Sequence, residues 1–385
     1  MNSPTARRPV IVHVMGWESQ QYGSFERQLV LLGDRLAGAG SDLHLVFRDP
    51  PRSAAFCNDV SATIHVLPGA RGSWDLRYVA RCAGLLRRLG ATHLHAHHGT
   101  DAYLAIAAAR VAGVPHRFVT KHITPGRSRL TASRLRHRAL ATQVATVFAV
   151  SRHVADAMVA LGVPDDAITV HHMGVDTATY RPDAARRVRM RRALDLPADA
   201  RVVLATSHLR PGKGVDRMPD VAAALADDPG RCVVVLAGDG PLGAAVAHRS
   251  AALGLPSDTV RLIGTCDDVP ALLDAADVFV APTDATEGLS ASVLEALASA
   301  TPAVVTDVPG LRPLIGEVAT VVPRGDTGAL IAAIRAVLAT PDAAARTAAA
   351  ARTLVVERFS VEHGVDQLVQ AYLGLVFRTT TGRQR

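Results

Sequence analysis

Residues 287–305 of this 385-residue chain read EGLSASVLEALASATPAVV. Two carboxylates lie eight positions apart in this stretch. Glu287 is in a glycine-containing loop that follows an apolar run. Glu295 is in the opening turns of a predicted helix, and Ser290 is placed to cap that helix. A helix N-terminus offers unpaired N–H groups and a partial positive charge, which suit a diphosphate. The pattern suits a pocket in which one carboxylate lies beside a sugar and the other binds a diol. The alternative is that Glu287 is a solvated loop charge and that Glu295 only supports the helix start.

Short β-branched runs alternate with longer Ala/Leu/Arg-rich segments on both sides of this stretch. In the second half the predicted strands are 202–206, 232–236, 260–263, 278–281 and 303–306, and the predicted helices are 216–226, 242–253, 269–275 and 290–300. In the first half the predicted strands are 10–14, 43–47, 64–67, 93–97, 117–120 and 146–150, with helices at 25–39, 74–89 and 103–112. Such alternation predicts parallel sheets with helices on both faces, and a ligand in the cleft between the strand C-terminal ends of the two halves.

The length of the chain exceeds that of one ordinary domain, so the sequence predicts two. A turn-rich stretch at 171–183 and a basic segment at 186–192 mark the boundary. We therefore predict an N-terminal domain at residues 1–185 and a C-terminal domain at residues 186–360, followed by a last helix within 361–378.

The composition limits the kinds of partner. The formal net charge of +7 favours an anionic partner such as a nucleotide, a phosphorylated lipid or a membrane surface. Aromatic residues make up only 4% of the chain and no nucleic-acid module is recognisable, which argues against nucleic-acid binding. The four cysteines show no metal or redox spacing, and no run approaches the roughly 18 apolar residues of a membrane span. We expect a cytoplasmic protein, with peripheral contact to an anionic membrane left open.

Residues 287–305 resemble the E-x7-E signature of glycosyltransferase family 4, which comprises retaining enzymes of the GT-B fold. Other stretches resemble motifs of the same family in the same order: 148–182, 213–216, 238–242 and 263–282. The resemblance runs from about residue 10 to about residue 375 and is densest in the second half. It implies an α/β chain of two Rossmann-like domains whose parallel sheets face each other across a cleft, with the last helix crossing back onto the N-terminal domain.

The resemblance also implies a reaction. A hexosyl unit would pass from a nucleoside-diphosphate sugar, with a UDP-sugar favoured, to an acceptor hydroxyl with retention of anomeric configuration. The donor is a substrate, and no cofactor is implied. The product would be a surface polysaccharide or glycolipid, or a specialised metabolite such as an aminoglycoside. A nucleotide-sugar epimerase of the same fold, or a degenerate glycosyltransferase kept as a binding partner, are the competing interpretations.

Individual roles follow from the same resemblance. Glu287 would stabilise positive charge at the anomeric carbon, Glu295 would hold the ribose hydroxyls, and Lys213 would neutralise the departing diphosphate. His122 would contact the sugar or stabilise the transition state, although a solvated histidine after a strand is the plain alternative. The remaining donor-binding positions implied by the resemblance are Gly23, Ser24, His208, Arg210, Gly238, Gly264, Leu289, Ser290 and Ala291.

The chain departs from the family pattern at two points. His208 occupies the position where the family usually has an arginine, five residues before Lys213. A guanidinium carries a permanent charge and a fixed fork of donors, whereas a histidine is only partly protonated near neutral pH. Arg210 is close enough in sequence to substitute. The second, milder change is Gly23-Ser24 where two glycines are common.

Other motifs give weaker indications. Gly238, Gly240 and Gly243 have dinucleotide-fingerprint spacing, but Pro241 interrupts it and the motif lies outside a first β-α-β unit. The absence of any Asp-x-Asp pair, together with Lys213, favours metal-free chemistry.

A histidine-rich strand at 93–98 offers metal-ligand types without a nearby cysteine or carboxylate cluster, so we favour a polar strand end at the cleft. The basic residues Lys121, Arg127, Arg129, Arg134, Arg136 and Arg138 form either a solvated face or a docking site for anionic lipid or a phosphorylated acceptor. Acceptor specificity is expected in the loops at 49–58 and 124–133.

Overall fold

The computed structural model describes residues 8–16, 19, 22–97, 99–124, 130–228, 230–285 and 287–374, with the backbone alone at 130–133. The chain divides into two compact units. The first contains Met1–Gly174 together with Val361–Arg385, and the second is Val175–Ser360.

Within the described residues, the first unit is built on a sheet of seven parallel strands. In chain order they are β1 (Val10–Met15), β2 (Asp42–Phe47), β3 (Thr63–Val66), β4 (His93–His97), β5 (His116–Lys121), β6 (Thr146–Ala149) and β7 (Ile168–Val170). The order across the sheet is β3-β2-β1-β4-β5-β6-β7. The strands therefore follow one another outward in both directions from the central pair of β1 and β4. In this pair, Val12 of β1 lies opposite Leu94 of β4.

The helices of the first unit are α1 (Ser24–Gly38), α2 (Ala54–Asp59), α3 (Leu76–Leu89), α4 (Gly99–Ala112), α5 (Leu130–Ala141) and α6 (Arg152–Ala160). The last helix of the chain, α15 (Val361–Tyr372), also belongs to this unit. Leu29, Leu32 and Leu36 recur on one face of α1 and pack with Val365 and Leu368 of α15 in one buried cluster. The Arg35–Asp366 ion pair, at 3.6 Å, joins the same two helices at the surface.

The described part of the second unit repeats the arrangement with six parallel strands. They are β8 (Arg201–Thr206), β9 (Cys232–Ala237), β10 (Val260–Leu262), β11 (Val278–Ala281), β12 (Ala303–Thr306) and β13 (Thr320–Val322), in the order β10-β9-β8-β11-β12-β13. Its helices are α7 (Ala184–Ala193), α8 (Met218–Leu225), α9 (Gly243–Ala252), α10 (Val269–Ala275), α11 (Ala291–Ala298), α12 (Arg312–Ile315), α13 (Thr327–Ala339) and α14 (Pro341–Arg358). Both sheets have the doubly wound topology of a Rossmann-like fold, in agreement with the predicted fold class.

The second unit begins at Val175, before the predicted boundary at residue 185. Val175 donates its N–H to the Phe359 carbonyl at 2.8 Å and pairs with Ser360 in a parallel bridge. Tyr180 is buried in the core of the second unit. The turn-rich stretch therefore belongs to the second unit from Val175 onward, although its composition marks it as a linker.

The predicted strands and helices are present with small shifts at their ends, but the strand at 146–150 is not the last of its sheet. The edge strand β7 follows it and is only three residues long. Another strand of three residues, β13, completes the second sheet. A run of three residues carries few alternations, so β7 and β13 did not stand out from a loop in the sequence, although the equally short β10 did.

The alanine-rich segment at 343–351 lies within α14, and one side of that helix is buried through Ala348, Ala351 and Val355. Among the described residues, no helix taken singly has both the length and the apolar character to cross a membrane. Thr327–Ala339 and Pro341–Arg358 pass that test only as a pair, and the two are bent by 101°.

Candidate active site

A hollow opens at the C-terminal ends of β8 and β11, where the strand order of the second sheet reverses. Such topological switch points are the usual ligand sites of doubly wound sheets, since the loops on either side of them diverge. We call this feature the switch-point hollow. Its polar lining consists of Thr206, Ser207, Lys213, Thr283, Ser290 and Ser292.

Lys213 lies in the loop that follows β8, and this loop is joined by hydrogen bonds to the segment after β11. The Gly212 carbonyl accepts the N–H groups of Asp284 and Ala285 at 2.9 and 3.0 Å. Gly214 has a φ of +69°, and a Cβ at that position would lie 1.9 Å from the Pro282 carbonyl oxygen. Only glycine permits so close an approach of the two backbones. The lysine is thereby held over the ends of both strands.

The Lys213 ammonium donates to Oε1 of Glu287, so two of the predicted catalytic residues form one ion pair. The two side chains are 18% and 14% exposed. Charges so shielded from water interact more strongly than surface charges, and each depends on the other for compensation. The loop of Glu287 is itself supported by Gly310, where a Cβ would lie 2.1 Å from the Gly288 carbonyl oxygen.

Helix α11 begins at the edge of the same hollow, but Ser290 does not make the expected cap. Ser290 occupies the N-cap position with extended backbone, yet its side chain makes no capping hydrogen bond and lies 3.2 Å from the Ser292 hydroxyl. Thr206 Oγ1, which also lines the hollow, is buried and has no hydrogen-bond partner among the described residues. The hollow thus presents hydroxyls and a helix N-terminus to any anion that enters.

The other predicted positions around α11 differ in accessibility. Glu295 is buried, with 9% exposure, inside the helix, and Leu289 is half-buried against the core of the second unit. Ala291 is the exposed first residue of the helix. Only Ser290 of the three backbone positions from 289 to 291 lines the hollow.

Gly238 and Gly264 are close together and serve the backbone geometry of the second unit. The Gly238 N–H donates to the Gly264 carbonyl at 2.7 Å, and Gly238 adopts a φ of +135°. A Cβ on Gly238 would lie 2.0 Å from the Ser207 carbonyl oxygen. His208 and Arg210, by contrast, are exposed on the loop, and neither belongs to the lining of the hollow.

In the first unit, Gly23 and Ser24 form the start of α1. The N–H of Gly23 donates to Oε2 of Glu26 at 3.2 Å, and the other oxygen of Glu26 accepts the Ser19 hydroxyl at 2.8 Å. Burial raises the pKa of the Glu26 carboxyl. The backbone donor of Gly23 is therefore already bonded to a side chain of its own helix.

His122 follows β5 and is half-buried. Its Nε2 lies 3.3 Å from Nδ1 of His97, and Nε2 of His97 lies 3.1 Å from Nδ1 of His13. The strand at 93–97 is therefore not the polar strand end that we expected, because His93, His95 and His97 are all buried; His98 lies outside the described residues.

The ring nitrogens of His13, His95 and His97 lie within 4.8 Å of one another, a spacing that a metal ion can accept. Every one of these nitrogens nevertheless has a hydrogen-bond partner within the first unit. Burial lowers the pKa of His13 to about 3 and holds the pKa values of His95 and His97 well below the usual range. The cluster is thus a network of neutral imidazoles.

Several residues of the hollow were not predicted from the sequence. Thr206 and Ser292 resemble ordinary strand-end and helix residues, and no motif marks them. Arg217 donates to Asp284 at 3.0 Å and braces the two loops, but the partners are 67 positions apart in the chain. The one available signal was the position of Thr206 at the end of a predicted strand.

Comparisons with known proteins agree with this architecture. A model described as Glycosyltransferase Family 4 matches residues 25–179, and one described as Glycosyl transferases group 1 matches residues 200–340. Alpha-D-kanosaminyltransferase of Streptomyces kanamyceticus is 28% identical over 325 residues, covering 80% of this chain and 83% of that protein. The GDP-mannose-dependent alpha-(1-6)-phosphatidylinositol monomannoside mannosyltransferase of Mycolicibacterium smegmatis is 30% identical over 270 residues, covering 66% and 69% respectively.

A solved structure shows the same fold. Anabaena HepE in complex with UDP-glucose matches with a TM-score of 0.78 at 19% identity, covering 95% of this chain and 100% of that one. At this level of identity the likeness concerns the fold alone.

Gly238→Ala tests the close approach of the two loops after β8 and β9. The variant must place a methyl group against the Ser207 carbonyl at a φ of +135°, so we expect a loss in the free energy of unfolding above about 3 kcal/mol. Gly254→Ala is the matched control, because Gly254 has a φ of +67° but no atom within 4 Å of the added Cβ. It should cost about 1 kcal/mol. Equal losses for both variants in urea unfolding would contradict the packing described here.

Proposed function

The chain belongs to glycosyltransferase family 4 and is a glycosyltransferase of the GT-B type, and from this premise we propose that it transfers a hexosyl unit from a nucleoside-diphosphate sugar to an acceptor hydroxyl with retention. The observation that carries the proposal is the Lys213–Glu287 ion pair at the switch-point hollow. In this partly buried pair, the Lys213 ammonium can stabilise a leaving diphosphate, and the Glu287 carboxylate can stabilise the positive charge that develops on the sugar.

Donor binding places the diphosphate between Lys213 and the N-terminus of α11. Charge-assisted hydrogen bonds from an ammonium to phosphate oxygens are about twice as strong as neutral ones. The diphosphate competes with Glu287 for the ammonium, and the carboxylate then turns to the sugar. Thr206 and Ser290 line the hollow and offer hydroxyl donors to the same anion.

Transfer occurs on the face of the sugar from which the diphosphate leaves. The anomeric C–O bond to the phosphate breaks, the acceptor oxygen bonds to the same carbon, and a phosphate oxygen takes the acceptor proton. Glu287 stabilises the positive charge on the sugar ring, and Lys213 stabilises the negative charge on the leaving group. Both groups act on charge that is larger in the transition state than in the ground state, which is the condition for catalysis. Glu295 holds the ribose hydroxyls.

We propose a UDP-sugar as donor. The protein bound to UDP-glucose shares the fold, while the Mycolicibacterium smegmatis relative is named for GDP-mannose, so the base needs a direct test. The two sequence relatives are named for different glycosyl groups, and the hexosyl unit is therefore left general. We keep two predictions for the acceptor: that it leads to a surface glycan or glycolipid, or that it leads to a specialised metabolite such as an aminoglycoside.

Contact of His122 with the sugar also stays a prediction, as do metal-free chemistry, a cytoplasmic location and peripheral contact with an anionic membrane.

Of the basic residues invoked for membrane or phosphate docking, Arg134, Arg136 and Arg138 are exposed on α5. Arg127 and Arg129 lie outside the described residues, and Lys121 is buried, with its ammonium 3.1 Å from the Tyr103 hydroxyl. Burial lowers the pKa of Lys121 to about 7.

Glu287→Gln tests the role of the carboxylate. It preserves shape and removes the charge, so we expect kcat for nucleoside-diphosphate release in the presence of an acceptor panel to fall about 100-fold or more. Glu317→Gln, on an exposed segment of the same unit, is the control and should leave kcat unchanged. Turnover of Glu287→Gln near that of the unmodified protein would remove Glu287 from the mechanism. Conversion of the sugar without any acceptor would identify an epimerase instead.

Calorimetry with UDP-glucose, dTDP-glucose and GDP-mannose tests the donor site. We expect the UDP-sugar to bind most tightly, and Lys213→Met to weaken its binding by about 10-fold or more, because an ammonium–phosphate hydrogen bond contributes about 1.5–3 kcal/mol. Arg249→Met removes the same charge from the exposed surface of α9 and should change affinity little. Equal weakening by both variants would mean that net charge, rather than Lys213, governs binding. Tight binding without turnover across the panel would favour a degenerate binding protein.

A further inference from the structure

A continuous chain of hydrogen bonds runs through the interior of the first unit and reaches His122. We call it the histidine–tyrosine relay. Its links join Nε2 of His122 to Nδ1 of His97 at 3.3 Å, Nε2 of His97 to Nδ1 of His13 at 3.1 Å, and Nε2 of His13 to the Tyr372 hydroxyl at 2.9 Å. The same hydroxyl contacts Nδ1 of His95, whose Nε2 lies 2.7 Å from the Thr120 hydroxyl.

The relay lies at the topological switch point of the first sheet. His13 is on β1, and His95 and His97 are on the adjacent strand β4, at registers opposite His13 and Met15. Tyr372 comes from α15, at the far end of the chain, and is buried with 3% exposure. Among the members of the relay, only His122 is partly exposed. A buried network thus connects the last helix to the residue that we place beside the sugar.

Hydrogen-bond chemistry restricts this network to two arrangements. A neutral imidazole has one N–H and one acceptor nitrogen, and the tyrosine hydroxyl has a single hydrogen to donate. His13, His95 and His97 are neutral because burial keeps their pKa values low. Every link needs one donor and one acceptor, so the position of one proton determines the position of all the others.

In the first arrangement Tyr372 donates to Nδ1 of His95 and accepts from Nε2 of His13. His13 then accepts from Nε2 of His97, and His97 accepts from Nε2 of His122. All four histidines carry their proton on Nε2, and Nδ1 of a neutral His122 is an acceptor.

In the second arrangement Tyr372 donates to Nε2 of His13, and the donor and the acceptor of every other hydrogen bond in the relay exchange roles. His13 donates through Nδ1 to His97, which donates through Nδ1 to His122. His95 now donates to Tyr372 and accepts from Thr120. All four histidines carry their proton on Nδ1, and His122 presents a donor at that position.

We propose that the histidine–tyrosine relay determines which ring nitrogen of His122 carries the proton, and that Tyr372 is the positioning residue on which the relay turns. His122 then meets a sugar hydroxyl as an acceptor or as a donor according to the state of the whole network. The structural part of the proposal is independent of any reaction. Its catalytic consequence rests on the proposed function, through the contact of His122 with the sugar.

The central test is ¹⁵N NMR of the histidine rings, at a pH where His122 is neutral. The relay requires His95 and His122 to have the same fraction of Nε2-protonated tautomer in the unmodified protein, although three other side chains separate them. Tyr372→Phe removes the hydroxyl and keeps the ring, so the two fractions should become unequal. A purely structural role of Tyr372 would not change the tautomer of His122.

Two controls accompany the NMR measurement. Tyr78→Phe removes another buried tyrosine hydroxyl from the same unit and should leave the tautomers of His95 and His122 matched. The His44–His65 pair, at 3.1 Å, lies outside the relay and should keep its ring signals in Tyr372→Phe. Different tautomers at His95 and His122 in the unmodified protein, or loss of their match in the control variant Tyr78→Phe, would overturn the proposal.

Kinetics separate the relay from the proposed function. Tyr372→Phe should lower kcat about 10-fold with little change in the KM for the donor, and it should have no further effect in a His122→Ala background, because the two residues act as one unit. Additive losses in the double variant would overturn the positioning role of Tyr372. Coupled tautomers with unchanged kcat would support the relay and remove His122 from the catalytic proposal.

Discussion

The ion pair between Lys213 and Glu287 is the interaction around which the second unit arranges its loops. Two half-buried charges of opposite sign are stable only when they remain together, since removing one would leave the other uncompensated. The Gly212 carbonyl, the close approach of Gly214 to Pro282 and the support of Gly310 under Gly288 all hold the two loops in register. The same geometry leaves a cation after β8 and a carboxylate after β11, ready for a reaction that develops charge of both signs.

Most strands and helices, and the loop–helix segment that carries Glu287 and Glu295, could be predicted from the sequence, because local residue patterns determine them. Strands β8, β9, β11 and β12 stand out as apolar, β-branched runs, and the E-x7-E spacing indicates a loop followed by a helix. The contact between Lys213 and Glu287 was harder to foresee, because 74 positions separate them and only the adjacency of β8 and β11 brings them together. The missing cap at Ser290 and the edge strand β7 depend on side-chain rotamers and on pairing, which no local pattern encodes.

For the histidines of β4, the sequence pattern was easy to see but its interpretation was wrong. Their alternation at 93, 95 and 97 is visible in the sequence and suggested a polar strand end, yet the rings are buried. Burial is tolerated because each ring nitrogen finds a partner, including a tyrosine from a helix whose hydroxyl is 359 positions from His13 in the chain. Pairing over such a distance becomes apparent only once α15 is seen to pack in the first unit.

Both units therefore place buried polar groups at the switch point of a parallel sheet, an ion pair in one and a proton network in the other. The most direct test of the central claim is a crystal structure with a UDP-sugar bound. We predict a diphosphate oxygen about 2.7–2.9 Å from Nζ of Lys213, with the Lys213–Glu287 bond broken and the Glu287 carboxylate facing the sugar. A diphosphate bound elsewhere, with that ion pair intact, would contradict the account.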